Sequence, residues 1–205
     1  MNKNIYELHK KYVGGLYPEK WLELTWTHSN IILEIAKQLA PNDVNGELLK
    51  TGALVHDIGV YKCYDEDLNP DKSLPPYIQH GFIGFDILKN EGFPLEVCRF
   101  AVTHTATGFT KEDIERENLP YEKMDYIPVS VEEELVCYAD KFHSKYPSFN
   151  TYEEQVERLK KFDPARELKM DTLKRKYGIP ELAGLKKQYS DWSISFDEWF
   201  KSLQK

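Results

Sequence analysis

Apolar residues recur along this chain at intervals of three and four, the spacing of helices that bury one face. From about Thr27 to Leu39, the positions Ile31, Ile32, Ile35, Ala36 and Leu39 form one stripe, with His28 on the same face, and Pro41 stops the pattern. A second stripe, from about Gly46 to Asp57, runs through Leu48, Leu49, Gly52, Ala53, Val55 and His56, and Gly59 is placed to end it. A third spans about Tyr77 to Asn90 with His80, Gly84, Ile87 and Leu88 on one side. A fourth spans about Leu95 to Thr103, with Val97, Phe100, Ala101 and then His104. Ser130 and Glu133 have capping-box spacing and open a fifth through Leu135, Val136, Ala139 and Asp140 to Phe142; Thr151 and Glu154 open a sixth. Further helical patterns cover Pro164 to Tyr177 and Ser195 to Leu203.

Strand-like alternation is scarce, and the hairpin dipeptide Asn45-Gly46 stands between two helical patterns. Two polar stretches read as long loops: Tyr64 to Pro76, and Thr107 to Val129 with a short helix near Lys111 to Glu117. The pattern predicts an all-α protein. One helical domain covers residues 1–150, and a helical extension over 151–205 packs on it. That last part is rich in Lys and Glu and carries no clustered metal-type ligands, so it reads as a buttress.

Length and composition narrow this further. At 205 residues, 41% apolar and 30% charged, the chain is sized for one domain with a folded core. No apolar run is long enough for a membrane span, and the first residues lack the apolar core of a secretory signal, so a cytoplasmic location is expected. The three scattered cysteines suit a reducing compartment. A net charge of −7 argues against a long nucleic acid as partner, and leaves room for a small anionic substrate where a bound cation offsets the field.

The chemistry lies in the histidines. Four of the six, His28, His56, His80 and His104, fall on the apolar face or at the end of four different predicted helices. Asp57 follows His56 directly, and Asp140 faces inward from a fifth helix. One inward histidine is ordinarily a hydrogen-bonded core group. Five helices each aiming an imidazole or carboxylate inward call for one shared partner, because such groups are costly to bury alone. A metal centre inside the bundle supplies it. Imidazole and carboxylate without thiolate suit Fe, Mn, Zn, Ni or Co.

The order His28, His56-Asp57, His80, His104, Asp140 resembles the HD-domain superfamily of metal-dependent phosphohydrolases, and His56-Asp57-Ile58-Gly59 matches its HDIG variant. The resemblance covers about residues 20–145. It implies a helical bundle in which His28, His56, Asp57 and Asp140 hold one metal, Asp57 bridges, and His80 and His104 complete a second site, giving two divalent transition metals per chain. The string His104-Thr105-Ala106-Thr107-Gly108 resembles, with one residue inserted, a motif of small dinucleoside-polyphosphate hydrolases in the superfamily.

The resemblance thus implies hydrolysis of a phosphate ester or anhydride of a small molecule, a nucleotide or dinucleotide, by a metal-activated hydroxide. Two alternatives share the ligand set: a di-iron oxygenase of the HD-domain type acting on a small polar substrate, and a non-catalytic nucleotide sensor. Beside Asp57, Lys62 and His143 are the candidate catalytic side chains, His143 as acid to the leaving group. Arg99 and Lys141 are further candidates for holding phosphate. The Tyr64 to Pro76 loop, bordered by Tyr61, Tyr64 and Tyr77, is a candidate lid. His9 reads as structural or exposed. Trp192, Phe196, Trp199 and Phe200 either cap the core or form a homodimer face.

Overall fold

The computed structural model describes residues 4–144 and 146–203. Among them, eleven α-helices follow in order: α1 Ile5–Tyr12, α2 Pro18–Leu39, α3 Gly46–Val55, α4 His80–Asn90, α5 Leu95–Thr103, α6 Lys111–Arg116, α7 Val131–Ala139, α8 Tyr152–Lys160, α9 Ala165–Tyr177, α10 Ala183–Gln188 and α11 Ser190–Leu203. A two-residue antiparallel ribbon, β1 His143–Ser144 with β2 Ser148–Phe149, pairs His143 with Phe149. The all-α reading holds, with that ribbon as its small exception. No helix of the described residues is long and apolar enough to cross a membrane.

The long helix α2 is the central strut, packed on α3 and α7, while α5 touches α3, α4 and α7. Its stripe Ile31, Ile32 and Ile35 has no exposure. Burial stabilises each of these by about 2 kcal/mol, and an Ile35→Ala cavity would cost about 3 kcal/mol. α2 begins nine residues before the expected Thr27, because Pro18 takes a first-turn position and Trp21 and Leu24 extend the buried stripe back from His28. The sequence pattern also passed over α1, which Asn4 caps at the Glu7 amide.

Gly59 does not end α3. That helix stops at Val55, and Gly59 lies in a following 3₁₀ turn, Ile58–Lys62. A Cβ there would sit 2.0 Å from the His80 carbonyl oxygen and 2.5 Å from the Gly84 nitrogen, so the glycine is needed for the close approach of α4. Ser130 caps α7 as expected, but Glu133 turns its carboxylate to the Val129 amide and to Arg99. Thr151 and Glu154 form the full reciprocal box at α8.

The extension shares the main core. Tyr152, Val156, Leu159, Met170 and Leu185 are buried in one cluster with Ile31, Leu49, Phe100 and Tyr138. Phe196 is buried in a second cluster with Trp21, Val55 and Leu88, and Trp192, Trp199 and Phe200 pack against it. These aromatics cap the core.

Candidate metal centre

Helix ends build the centre. His56, His104 and Asp140 are the C-terminal caps of α3, α5 and α7, His80 opens α4, and Asp57 stands in the turn after His56. His28 alone projects from within a helix, α2. Three helix C-termini therefore converge on a site that already holds two carboxylates. Their partial negative charges favour a cation.

Asp57 has no exposed surface and divides the site. Its Oδ2 lies 3.3 Å from His28 Nε2 and 3.4 Å from His56 Nε2. Its Oδ1 lies 3.3 Å from His104 Nε2 and 3.5 Å from His80 Nε2. Asp140 Oδ1 joins the first set, 3.1 Å from His28 Nε2 and 3.6 Å from His56 Nε2. Two donor groups result, His28, His56, Asp57 and Asp140 on one side, and Asp57, His80 and His104 on the other.

The imidazoles are held with one nitrogen turned inward. Nδ1 of His56 donates to the Ala53 carbonyl at 2.7 Å, that of His80 to Tyr77 at 2.7 Å, and that of His104 to Phe100 at 3.1 Å. A carbonyl only accepts, so Nδ1 carries a proton and Nε2 is the nitrogen left to face the carboxylates. His80 and His104 bring Nε2 to within 3.0 Å of Nε2. His56 Nε2, fully buried, makes no hydrogen bond. Imidazole nitrogens and carboxylate oxygens gathered within 4.8 Å of one another are an arrangement a divalent cation satisfies, and oxygen and imidazole donors suit one of borderline hardness.

In the chain alone, the carboxylates draw to His56 a proton that a bound cation would displace. Burial would lower His56, but the Asp57 and Asp140 carboxylates outweigh it and raise its pKa to about 9. For His104 burial wins, and its pKa falls. Burial opposes ionisation of Asp140, yet the Lys141 ammonium, with His28 and His56, holds its carboxyl well below the usual range. Lys141, itself buried, donates to Asp140 Oδ2 at 2.8 Å and to the His104 carbonyl at 3.0 Å. That leaves Asp140 Oδ1 for the histidines.

A cavity of about 690 Å³ opens on the centre. His28, His80, His104 and Asp140 lie in its lining, together with the loop residues Tyr64 and Leu68. Lys141 and His143 also line it. His143 is buried, with Nδ1 2.9 Å from His28 Nδ1. Lys62 does not reach the cavity: the tight 3₁₀ turn carries it to the surface, its Nζ 6.0 Å from the Tyr12 ring centroid. Arg99 is held in a bidentate pair with Glu133. Tyr61 is a core residue bonded to His9, which is fully buried.

Sequence reasoning missed the cavity wall made by the extension, where Gln155 and Arg158 from α8, Phe162 from the turn after it and Arg166 from α9 line the centre's cavity. The helical spacing of the α8 residues showed that they share a face. No local pattern says what that face adjoins.

A family model described as HD domain matches residues 25–145. The chain is 34% identical over 98 residues to the uncharacterized protein MJ0778 of Methanocaldococcus jannaschii, 48% of this chain and 50% of that protein. It is 31% identical over 121 residues to the tRNA (cytidine(56)-2'-O)-methyltransferase of Picrophilus torridus, 58% of this chain and 31% of that protein. The match thus spans half of one curated relative and less than a third of the other. Among solved structures, the HD domain of the phosphodiesterase PgpH from L. monocytogenes superposes with a TM-score of 0.51 at 17% identity, over 85% of this chain and 88% of that one. This likeness is one of fold.

Proposed function

Since this chain belongs to the HD-domain family, we propose that it is a metal-dependent phosphohydrolase acting on a small phosphorylated molecule, with a nucleotide as the substrate class. The observation that carries this is the placement of Asp57, whose two oxygens face two different sets of imidazoles at the end of a cavity of about 690 Å³. In this reading His28, His56, Asp57 and Asp140 hold one divalent ion, and Asp57, His80 and His104 a second. When bound, such ions acidify water and offset charge on a phosphoryl group.

The protein's own groups do the rest. Nδ1 donation to backbone carbonyls fixes the inward nitrogens before any ion arrives, so little reorganisation accompanies binding. Lys141 orients Asp140 and adds positive charge beside the cavity, where the phosphoryl oxygens would lie. The Tyr64 and Leu68 side chains limit water access from the loop side. The cavity volume is within the range that accommodates a nucleotide-sized ligand.

The test is metal content with activity. Protein purified without chelator is analysed for metals, then assayed for phosphate release from a panel of nucleotides and phosphate esters with Mn²⁺, Ni²⁺, Co²⁺ or Fe²⁺ added. Two ions per chain and release abolished in Asp57→Ala support the proposal. Bound iron with no hydrolysis of any panel member would replace it with an oxygenase.

A further inference from the structure

The wall of the cavity outside the family-matched region has its own chemistry. Gln155, Arg158 and Leu159 on α8 and Phe162 in the turn that follows all line the cavity. Gln155 is a buried residue whose side chain reaches the cavity. Three arginines line this cavity. Arg116 pairs with Asp113 and Glu117, and Arg166 with Asp113. Arg158 is exposed at the cavity's rim and has no carboxylate partner among the described residues. Arg166 is 2% exposed, and its buried Nε makes no hydrogen bond although Nη1 donates to Thr107 and Gly108.

In a chain of net charge −7, an arginine without a carboxylate partner, an amide that reaches the same cavity and a buried guanidinium whose Nε is left unbonded mark a place prepared for an anion. A guanidinium matches a phosphate in bidentate fashion, and an amide N–H adds a neutral donor. Lys141 and the metal ligands account for one phosphoryl group at the centre, and α8 lies outside that constellation.

We infer that α8 and α9 form a second anion subsite centred on Arg158 and Gln155, so that the molecule bound here carries two phosphate groups. One lies at the metal centre and the other on α8, with Leu159 and Phe162 offering apolar contact to the body between them. This rests on the phosphohydrolase reading for the first phosphate only.

Equilibrium binding to the metal-loaded full chain tests it with two probe pairs: adenosine 3′,5′-bisphosphate beside adenosine 5′-monophosphate, and fructose 1,6-bisphosphate beside fructose 1-phosphate. At least one bisphosphate binds about tenfold tighter than its monophosphate, the equivalent of one charge-assisted contact. Arg158→Gln brings that ratio near one with monophosphate affinity unchanged, and Arg158→Lys keeps part of it. The inference is overturned by equal binding, or no binding, within both pairs of the wild type. A preference that survives in Arg158→Gln also overturns it, as does a variant that weakens mono- and bisphosphate alike. Thermal melts of both variants establish that the fold is intact. Phosphate release from the broader panel reports separately on the hydrolase reading, so either can fail alone.

Discussion

His28 and His143 meet nitrogen to nitrogen, their Nδ1 atoms 2.9 Å apart and both rings buried. Two ring nitrogens share one proton. If Nε2 of His28 faces a cation, its proton must sit on Nδ1 and be donated to His143, which then carries its own proton on Nε2. This gives His143 a role as the residue that orients His28, beside the earlier expectation of an acid to the leaving group.

His143→Ala separates the two roles. As an orienting residue, it should lower affinity for one of the two ions by about 10- to 100-fold. Metal titration of the chelated protein reads this directly. Unchanged affinity with a reduced kcat would instead point to proton donation.

Asp57→Asn keeps the shape and removes the charge shared by both donor sets. Metal content should fall at both positions together and phosphate release should drop to background. Loss of only one ion by elemental analysis would contradict the bridging placement. Adding a chelator to the wild type should lower its melting temperature, because ions that bind only the folded chain stabilise it by mass action.

His9 adds one buried ring's share to the acid sensitivity of the fold. Burial lowers its pKa to about 4, against the donation of its Nε2 proton to the Leu54 carbonyl. Between that value and about 6.5 the unfolded chain binds a proton that the folded chain refuses. Stability therefore falls as pH drops through this window, by up to about 3 kcal/mol, and the contribution levels off below pH 4. Urea midpoints of the wild type minus those of His9→Gln across pH 4 to 7 should trace that curve.

Ala106 lines the cavity with φ of 56°, a left-handed conformation that disfavours a side chain. Ala106→Gly should stabilise the protein by about 1 kcal/mol, read as a shift in the urea midpoint.

Gly59→Ala should do the reverse. The added methyl meets backbone atoms of His80 and Gly84 that have no free rotation to escape it. A loss of about 3 kcal/mol is expected, with weaker metal binding because His80 is displaced.

Much of this centre was legible in the sequence. His28, His56, Asp57, His80, His104 and Asp140 do converge, because inward polar groups on successive helices have few ways to be satisfied except together. Their position at helix ends was visible for the His56-Asp57 step and for His104, which follows a helix expected to end at Thr103. Lys62 shows where local reasoning ends: five residues past Asp57, its direction depends on a 3₁₀ turn that periodicity does not reveal. The capping box at Thr151 located α8, but its contribution to the cavity depends on long-range packing that spacing cannot encode. The strand pair carrying His143 was invisible at two residues a side, too short for alternation to register.

Arg166 reaches from α9 to Asp113 and to the Thr107-Gly108 turn that follows His104, while Tyr138 in α7 donates to the Gly178 carbonyl. The stretch recognisable by kinship and the stretch that shares one core are thus different lengths. Truncation after residue 150 would remove one of the two arginines paired with Asp113 and open one flank of the interior, so a recombinant fragment cut there should be less stable than the longer chain.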